Sequence, residues 1–189
     1  MIQDPNYYFE PDSNCDFSKG SCISIGKFDG VHIGHQKLLE LNLQLSKKLN
    51  LVSVVIILFP NPKYFVNSLL NFKDSFEVIM SPQERLFKIK DLGLDCVEVI
   101  KFDQYLADWS ATDFVDFLVI KYNIKMWVAG KDITFGKNKT GNIDWLRTVS
   151  TQNCFGLEIC ESLVIDDQIV SSSLIRSRKI QGINCDNFL

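Results

Sequence analysis

The chain has 189 residues, 46% of them apolar, and its 20 basic and 23 acidic side chains leave a net charge of −3. This length suits one domain and this apolar content a full core, which excludes a disordered or low-complexity chain. The slight acidity argues against a general nucleic-acid binder, which needs a basic surface, so an anionic ligand must be met by a local cluster of positive groups.

The start, MIQDPNYYFEPD, is acidic and aromatic and lacks the basic end and apolar middle of a secretory signal. Strand-like SCISI, Ser21 to Ile25, is followed by the turn GKFDGVHIGH and then by helical spacing from His35 to Leu49, with Leu38, Leu41, Leu45 and Leu49 on one face. Leu51 to Phe59 (LVSVVIILF) is a continuous β-branched run, as in a parallel strand covered on both faces. The longest apolar run, Leu51 to Pro60, is too short to span a bilayer.

Ser81 and Pro82 open a helix over Gln83 to Leu92, stopped by Gly93. A strand follows from Asp95 to Phe102, and Ser110 with Asp113 forms a capping box for a helix to about Tyr122. Met126 to Ala129 and Leu157 to Ile165 complete the strands, and Ser171 to Gln181 forms a last helix. Alternating strands and helices predict one α/β domain over residues 1–189, a Rossmann-like doubly wound parallel sheet with helices on both faces, and residues 183–189 as a short tail. The six cysteines (15, 22, 96, 154, 160 and 185) form no CxxC pair and no zinc spacing, so free thiols in a reducing cytoplasm are expected.

The turn holds both histidines of the chain, His32 and His35, with Gly34 between them. In open α/β sheets ligands bind beyond the carboxyl ends of strands, where this turn lies, and a helix N-terminus there attracts phosphate. Gly26 and Gly30 allow a tight turn, Gly34 lets a ligand approach the backbone, and the two imidazoles can face one anion. Two other readings stay open: ordinary turn histidines, or an HxxH zinc site in need of a third ligand. SSSLIR sets hydroxyls before the last helix and Arg176 one turn in, an arrangement fit for phosphate or for a plain N-cap.

GKFDGVHIGH resembles the HxGH signature of the nucleotidyltransferase superfamily, and FDGVHIGHQ, Phe28 to Gln36, is similar to bacterial FAD synthetases in particular. Further blocks in the same order, LFPNP, SPQER, LGLDCVEVIKFD, VAGKDITFGKNKTG and SSSLIRSRKIQG, extend the likeness over residues 20 to 182. The resemblance implies transfer of AMP from ATP to FMN, giving FAD and pyrophosphate, with Mg²⁺ accompanying the ATP. It implies catalytic roles for His32, His35 and Arg176 and ATP contacts from Gly26, Phe28, Asp29, Gly34, Ser172 and Ser173. The flavin side falls to Pro60, Pro62, Asp132 and Phe135, with Tyr64 or Phe65 as apolar neighbours; Lys137 and Lys139 either draw in the FMN phosphate or serve solubility.

Lys27, Leu58, Asn61, Ile133 and Ser173 depart from the family pattern, and with the sequence stopping at Leu189 riboflavin phosphorylation is expected to be absent. The alternatives are a related nucleotidyltransferase with another phosphorylated acceptor, or a silent nucleotide- or flavin-binding module. ATP and FMN are the expected partners, with no nucleic acid, membrane or protein partner, in the cytoplasm.

Overall fold

The computed structural model describes residues 15–63, 65 and 79–189. The acidic, aromatic start and Tyr64 lie outside the described residues. Five parallel strands, β1 (Ser21–Gly26), β2 (Val52–Phe59), β3 (Cys96–Lys101), β4 (Ile124–Gly130) and β5 (Gly156–Cys160), form one sheet in the order β3-β2-β1-β4-β5. The order reverses between β1 and β4, so a crevice opens beyond their carboxyl ends, the place where such folds bind ligands.

The β-branched run of β2 explains its central position. Val54 and Ile56 face a cluster with Phe114, Val115, Leu118, Trp127 and Leu146, while Val55 and Ile57 face Leu39, Ile89 and Val97. All four are at most 1% exposed. Full burial of each such side chain stabilises by about 1.5–3 kcal/mol.

Helices α1 (Ile33–Leu49) and α2 (Pro82–Asp91) cover one face; α4 (Ala111–Tyr122) and α5 (Ile143–Gln152) cover the other. Ser81 with Glu84, and Ser110 with Asp113, each make both bonds of a capping box, at the two starts expected from the sequence. Asn42 of α1, fully buried, donates to the carbonyls of Cys22 and Val54 and so ties the helix across β1 and β2. A third small cluster joins Ile79, Val170, Cys185 and Phe188 to Ile175 of α6 (Ser172–Ile180), the last α-helix.

Three expectations need correction. Leu157 to Ile165 is not one strand: β5 ends at Cys160, and β6 (Val164–Ile165) pairs antiparallel with β7 (Gln168–Ile169). The pair of aspartates between them, Asp166 and Asp167, both take positive φ and turn the chain back at once. Two helices had no counterpart in the sequence reading, the short α3 (Gln104–Ala107) and α5. For α5 the signal was present in Asn142, which caps it, and in Ile143, Leu146 and Val149 at three-residue spacing.

Free thiols hold for Cys22, Cys154, Cys160 and Cys185, but Cys15 and Cys96 form a disulfide that clips the chain before β1 to the start of β3. The partners are 81 residues apart, and sequence spacing alone does not reveal such a pairing. A closed loop of that length stabilises by about 4 kcal/mol through the unfolded state. In urea denaturation, dithiothreitol should therefore lower wild-type stability by about that amount and leave Cys15→Ser, already lowered, unchanged; a wild type indifferent to reductant would contradict the bond.

Candidate active site

The loop from Gly26 to Ile33 is strained. Phe28 and Val31 have φ of 47° and 39°, a region that costs a non-glycine residue about 1–3 kcal/mol. Internal contacts hold it there. The Val31 amide donates to the Phe28 carbonyl at 3.1 Å, and Gln36 Nε2 donates to the Val31 carbonyl at 2.9 Å. Gly30 is also forced: φ is +82°, and a Cβ would stand 2.7 Å from Ile79 Cγ2.

His32 caps α1, accepting at Nδ1 from the His35 amide at 3.3 Å. A neutral imidazole that accepts at Nδ1 carries its proton on Nε2, so His32 keeps one outward donor. The two rings stack with centroids 3.6 Å apart and planes 19° off parallel. Burial pushes the His32 pKa down to about 4, against a partial pull upward from Asp29 and Asp132. His35 is held well below the usual range by burial, then by the neighbouring charges of His32, Arg85 and Lys27. Both rings are thus neutral at pH 7, and His35 Nδ1 is buried without a hydrogen-bond partner. Gly34 makes room for this pair, since a Cβ there would lie 3.2 Å from His32 Nδ1. The zinc reading finds no support in the described residues, among which no three His, Cys, Asp or Glu side chains are grouped to hold a metal.

Asp29 is the anchor. Its side chain is 2% exposed and pairs with Arg85, at 3.4 Å, and with Arg176. Arg85 also donates to the Lys27 carbonyl at 3.0 Å, and Ser172 Oγ donates to the Asp29 carbonyl at 3.0 Å. Two guanidiniums thus meet one carboxylate in a buried place. The amino ends of α1 and α6 converge there as well, with the Val170 carbonyl 3.7 Å from where a Gly34 Cβ would stand. Backbone N–H groups and helix dipoles at such a place suit an anion.

The structure therefore brings His32, His35, Asp29, Gly34, Ser172 and Arg176 together, and Ser173 lies exposed on the first turn of α6. Phe28 sits differently from a ligand contact: it is 1% exposed, its ring T-stacks under His35 at 5.3 Å, and Gly26 leaves space for that ring. Phe28 supports the histidine pair from beneath. Asp132 follows β4, its Oδ1 3.2 Å from where a Gly130 Cβ would stand, and its charge acts on both His32 and Lys27. Pro60, after a cis peptide bond, and Pro62 are half-buried beyond β2, with the Asn61 side chain capping the turn by accepting from the Lys63 amide at 3.1 Å.

Phe135 lies apart from these groups. Its ring packs against Phe114, Trp127 and Trp145, with centroids 5.7, 5.9 and 5.7 Å away, and anchors the loop to the core. Lys137 is committed to Asp108 at 2.8 Å, whereas the charges of Lys139, Lys63 and Arg176 all bear on Lys27. Desolvation pulls the Lys27 amine below its ordinary pKa. Sequence reasoning missed Arg85, because a buried arginine inside a helix start reads like any exposed one.

A family profile described as FAD synthetase matches residues 15–174. The chain belongs to the FAD synthetase family. Relatives carry the name bifunctional riboflavin kinase/FMN adenylyltransferase: one from Buchnera aphidicola subsp. Schizaphis graminum is 35% identical over 84% of this chain and 50% of its own. One from Bacillus subtilis is 30% identical over 86% and 50%. A putative bifunctional relative from Geobacillus thermodenitrificans is 32% identical over 83% of this chain and 81% of its own. The chain spans about half the length of the first two. A solved structure described as a macrolide-efflux protein from Streptococcus pneumoniae superposes with a TM-score of 0.70 at 23% identity, covering 90% of this chain and 54% of that one, which shows the shared fold.

The neutral imidazoles of this FAD synthetase family member give its stability a pH signature. A histidine depressed from 6.5 to about 4 binds no proton in the folded state where the unfolded chain does. Stability is therefore full above pH 6.5 and falls as pH drops through that window, by about 3 kcal/mol for His32 alone. His32→Asn keeps a capping side chain, and in denaturation series between pH 7.5 and 4.5 it should lose about 2 kcal/mol less than wild type. Parallel curves would show that His32 titrates normally.

Proposed function

We propose that the chain is an FMN adenylyltransferase that makes FAD and pyrophosphate from FMN and ATP, acting as a single domain in the cytoplasm. The observation that carries this reading is the convergence of the histidine pair and Arg176 on the loop after β1, at the sheet edge where such folds bind nucleotides. The names of the relatives agree with it.

In the reaction an FMN phosphate oxygen forms a bond to the α-phosphorus of ATP. The bond from that phosphorus to the β-bridging oxygen breaks, and pyrophosphate leaves with the electron pair. No covalent enzyme intermediate is needed, so positioning and charge stabilisation carry the rate. The α1 and α6 amino ends and Ser172 hold the phosphates. His32 Nε2–H offers a directional donor, and His35 supplies an uncommitted ring beside it. Arg176 moves from sharing Asp29 to meeting the phosphates, and Arg85 keeps Asp29 compensated meanwhile.

Acceptance of flavin rests on Asp132, Pro60 and Pro62 at the mouth, with Lys27, Lys63 and Lys139 as the positive rim for the FMN phosphate. Mg²⁺ supplies charge neutralisation to the ATP phosphates when bound. Asp29, the acidic side chain of the loop after β1, is already committed to two arginines, and the described residues offer no cage of three acidic or His/Cys ligands. The ion would be held mainly by the nucleotide and water.

Purified protein given ATP, Mg²⁺ and FMN should release pyrophosphate and FAD in equal amounts, and riboflavin should not replace FMN. His35→Ala or Arg176→Ala should lower turnover by at least ~10²-fold, the scale of losing one transition-state donor. Near-wild-type rates in both variants would overturn the site, and pyrophosphate release only with another phosphorylated acceptor would overturn the flavin assignment.

A further inference from the structure

Gln36 follows His35 in the motif and plays no part in the chemistry above. Its side chain is half-buried, and its Nε2 makes two bonds, at 2.9 Å and 2.8 Å. The partners are the Val31 carbonyl and a main-chain oxygen of Leu189, the last residue of the 189, both acceptors, so both bonds require the amide N–H groups, which fixes the orientation of the carboxamide. Val31, immediately before His32, is the residue held at a φ of 39°, which a β-branched side chain rarely adopts. Without its restraint the Val31–His32 peptide would relax, and the cap that sets the His32 ring would turn with it.

The second anchor is well founded. Phe188 is 4% exposed, the Arg178 guanidinium lies 4.5 Å over its ring, and Lys88 also donates to the Leu189 main-chain oxygen. Cys185, Phe188 and Leu189 belong to the same cluster as Ile79, which crowds Gly30 from the other side. The loop is thus braced against a packed part of the molecule, with Gln36 as the strut.

We propose that Gln36 is a positioning residue for His32, its carboxamide bracing the strained Val31 carbonyl against the 185–189 segment so that the stacked histidine pair is held ready for phosphate. The kinetic consequence rests on the adenylyl-transfer reading; the structural consequence does not.

The test uses the full chain with Gln36→Leu, which keeps volume and helix propensity and removes both donors. Gln36→Glu keeps shape and presents acceptors to acceptors, and it carries the same test if Gln36→Leu yields no folded protein. Long-range ¹H–¹⁵N spectra of the imidazoles should show the wild-type His32 with its proton on Nε2, and both variants with displaced or broadened His32 signals. Turnover of ATP with FMN should fall by ~10- to 100-fold with the KM for ATP within about threefold of wild type, the scale of a small misplacement of a catalytic group. Unmoved His32 signals would overturn the proposal, whatever happens to the melting temperature or the rate. Displaced His32 signals in a protein whose wild type makes no FAD would uphold the strut and refute the proposed reaction instead.

Discussion

The arrangement of this molecule depends on one buried carboxylate. Asp29 lies at 2% side-chain exposure, where an ion without partners would cost several kcal/mol. Its compensation comes from two directions, Arg85 of α2 and Arg176 of α6, while Ser172 of α6 donates to the Asp29 main-chain carbonyl. Elements distant in sequence are thereby drawn to the loop after β1. The same contact that closes the fold gathers two guanidiniums beside the histidine pair, and under the proposed function this is how a chain with net charge −3 would meet an anion, by concentrating charge locally.

The neutrality of the histidines belongs to the same design. Desolvated and stacked at 3.6 Å, with Arg85 and Lys27 bearing on His35, neither ring gains from a proton in the free protein. Under the proposed function an entering phosphate would supply negative charge beside them, and the imidazoles would act as donors where charge develops during transfer. Farther along the loop after β4, the Phe135 ring packs on Trp127 and Trp145.

Much of the fold was legible because local signals agreed with the tertiary structure. Ser81 and Ser110 capped helices where their side chains predicted, and the double-faced apolar run of β2 pointed to a central parallel strand. The histidines and Arg176 were legible through their spacing near helix starts and through the family likeness. Other features depend on contacts no local pattern carries. The Cys15–Cys96 bond, the burial of Arg85 and the brace from Leu189 to Gln36 join residues brought near only by folding. Phe28 shows the converse: a motif residue that suggests ligand contact turns its ring into the core, because a left-handed φ and the bare Gly26 direct it there.

The central claim is that one triphosphate lies between the amino ends of α1 and α6. A crystal structure with a non-hydrolysable ATP analogue tests it most directly. The account predicts phosphate oxygens within hydrogen-bond distance of a His32 or His35 ring nitrogen and of the Arg176 guanidinium at once, with Asp29 still paired to Arg85. A nucleotide seated elsewhere, or Arg176 still bound to Asp29 and touching no phosphate, would contradict it.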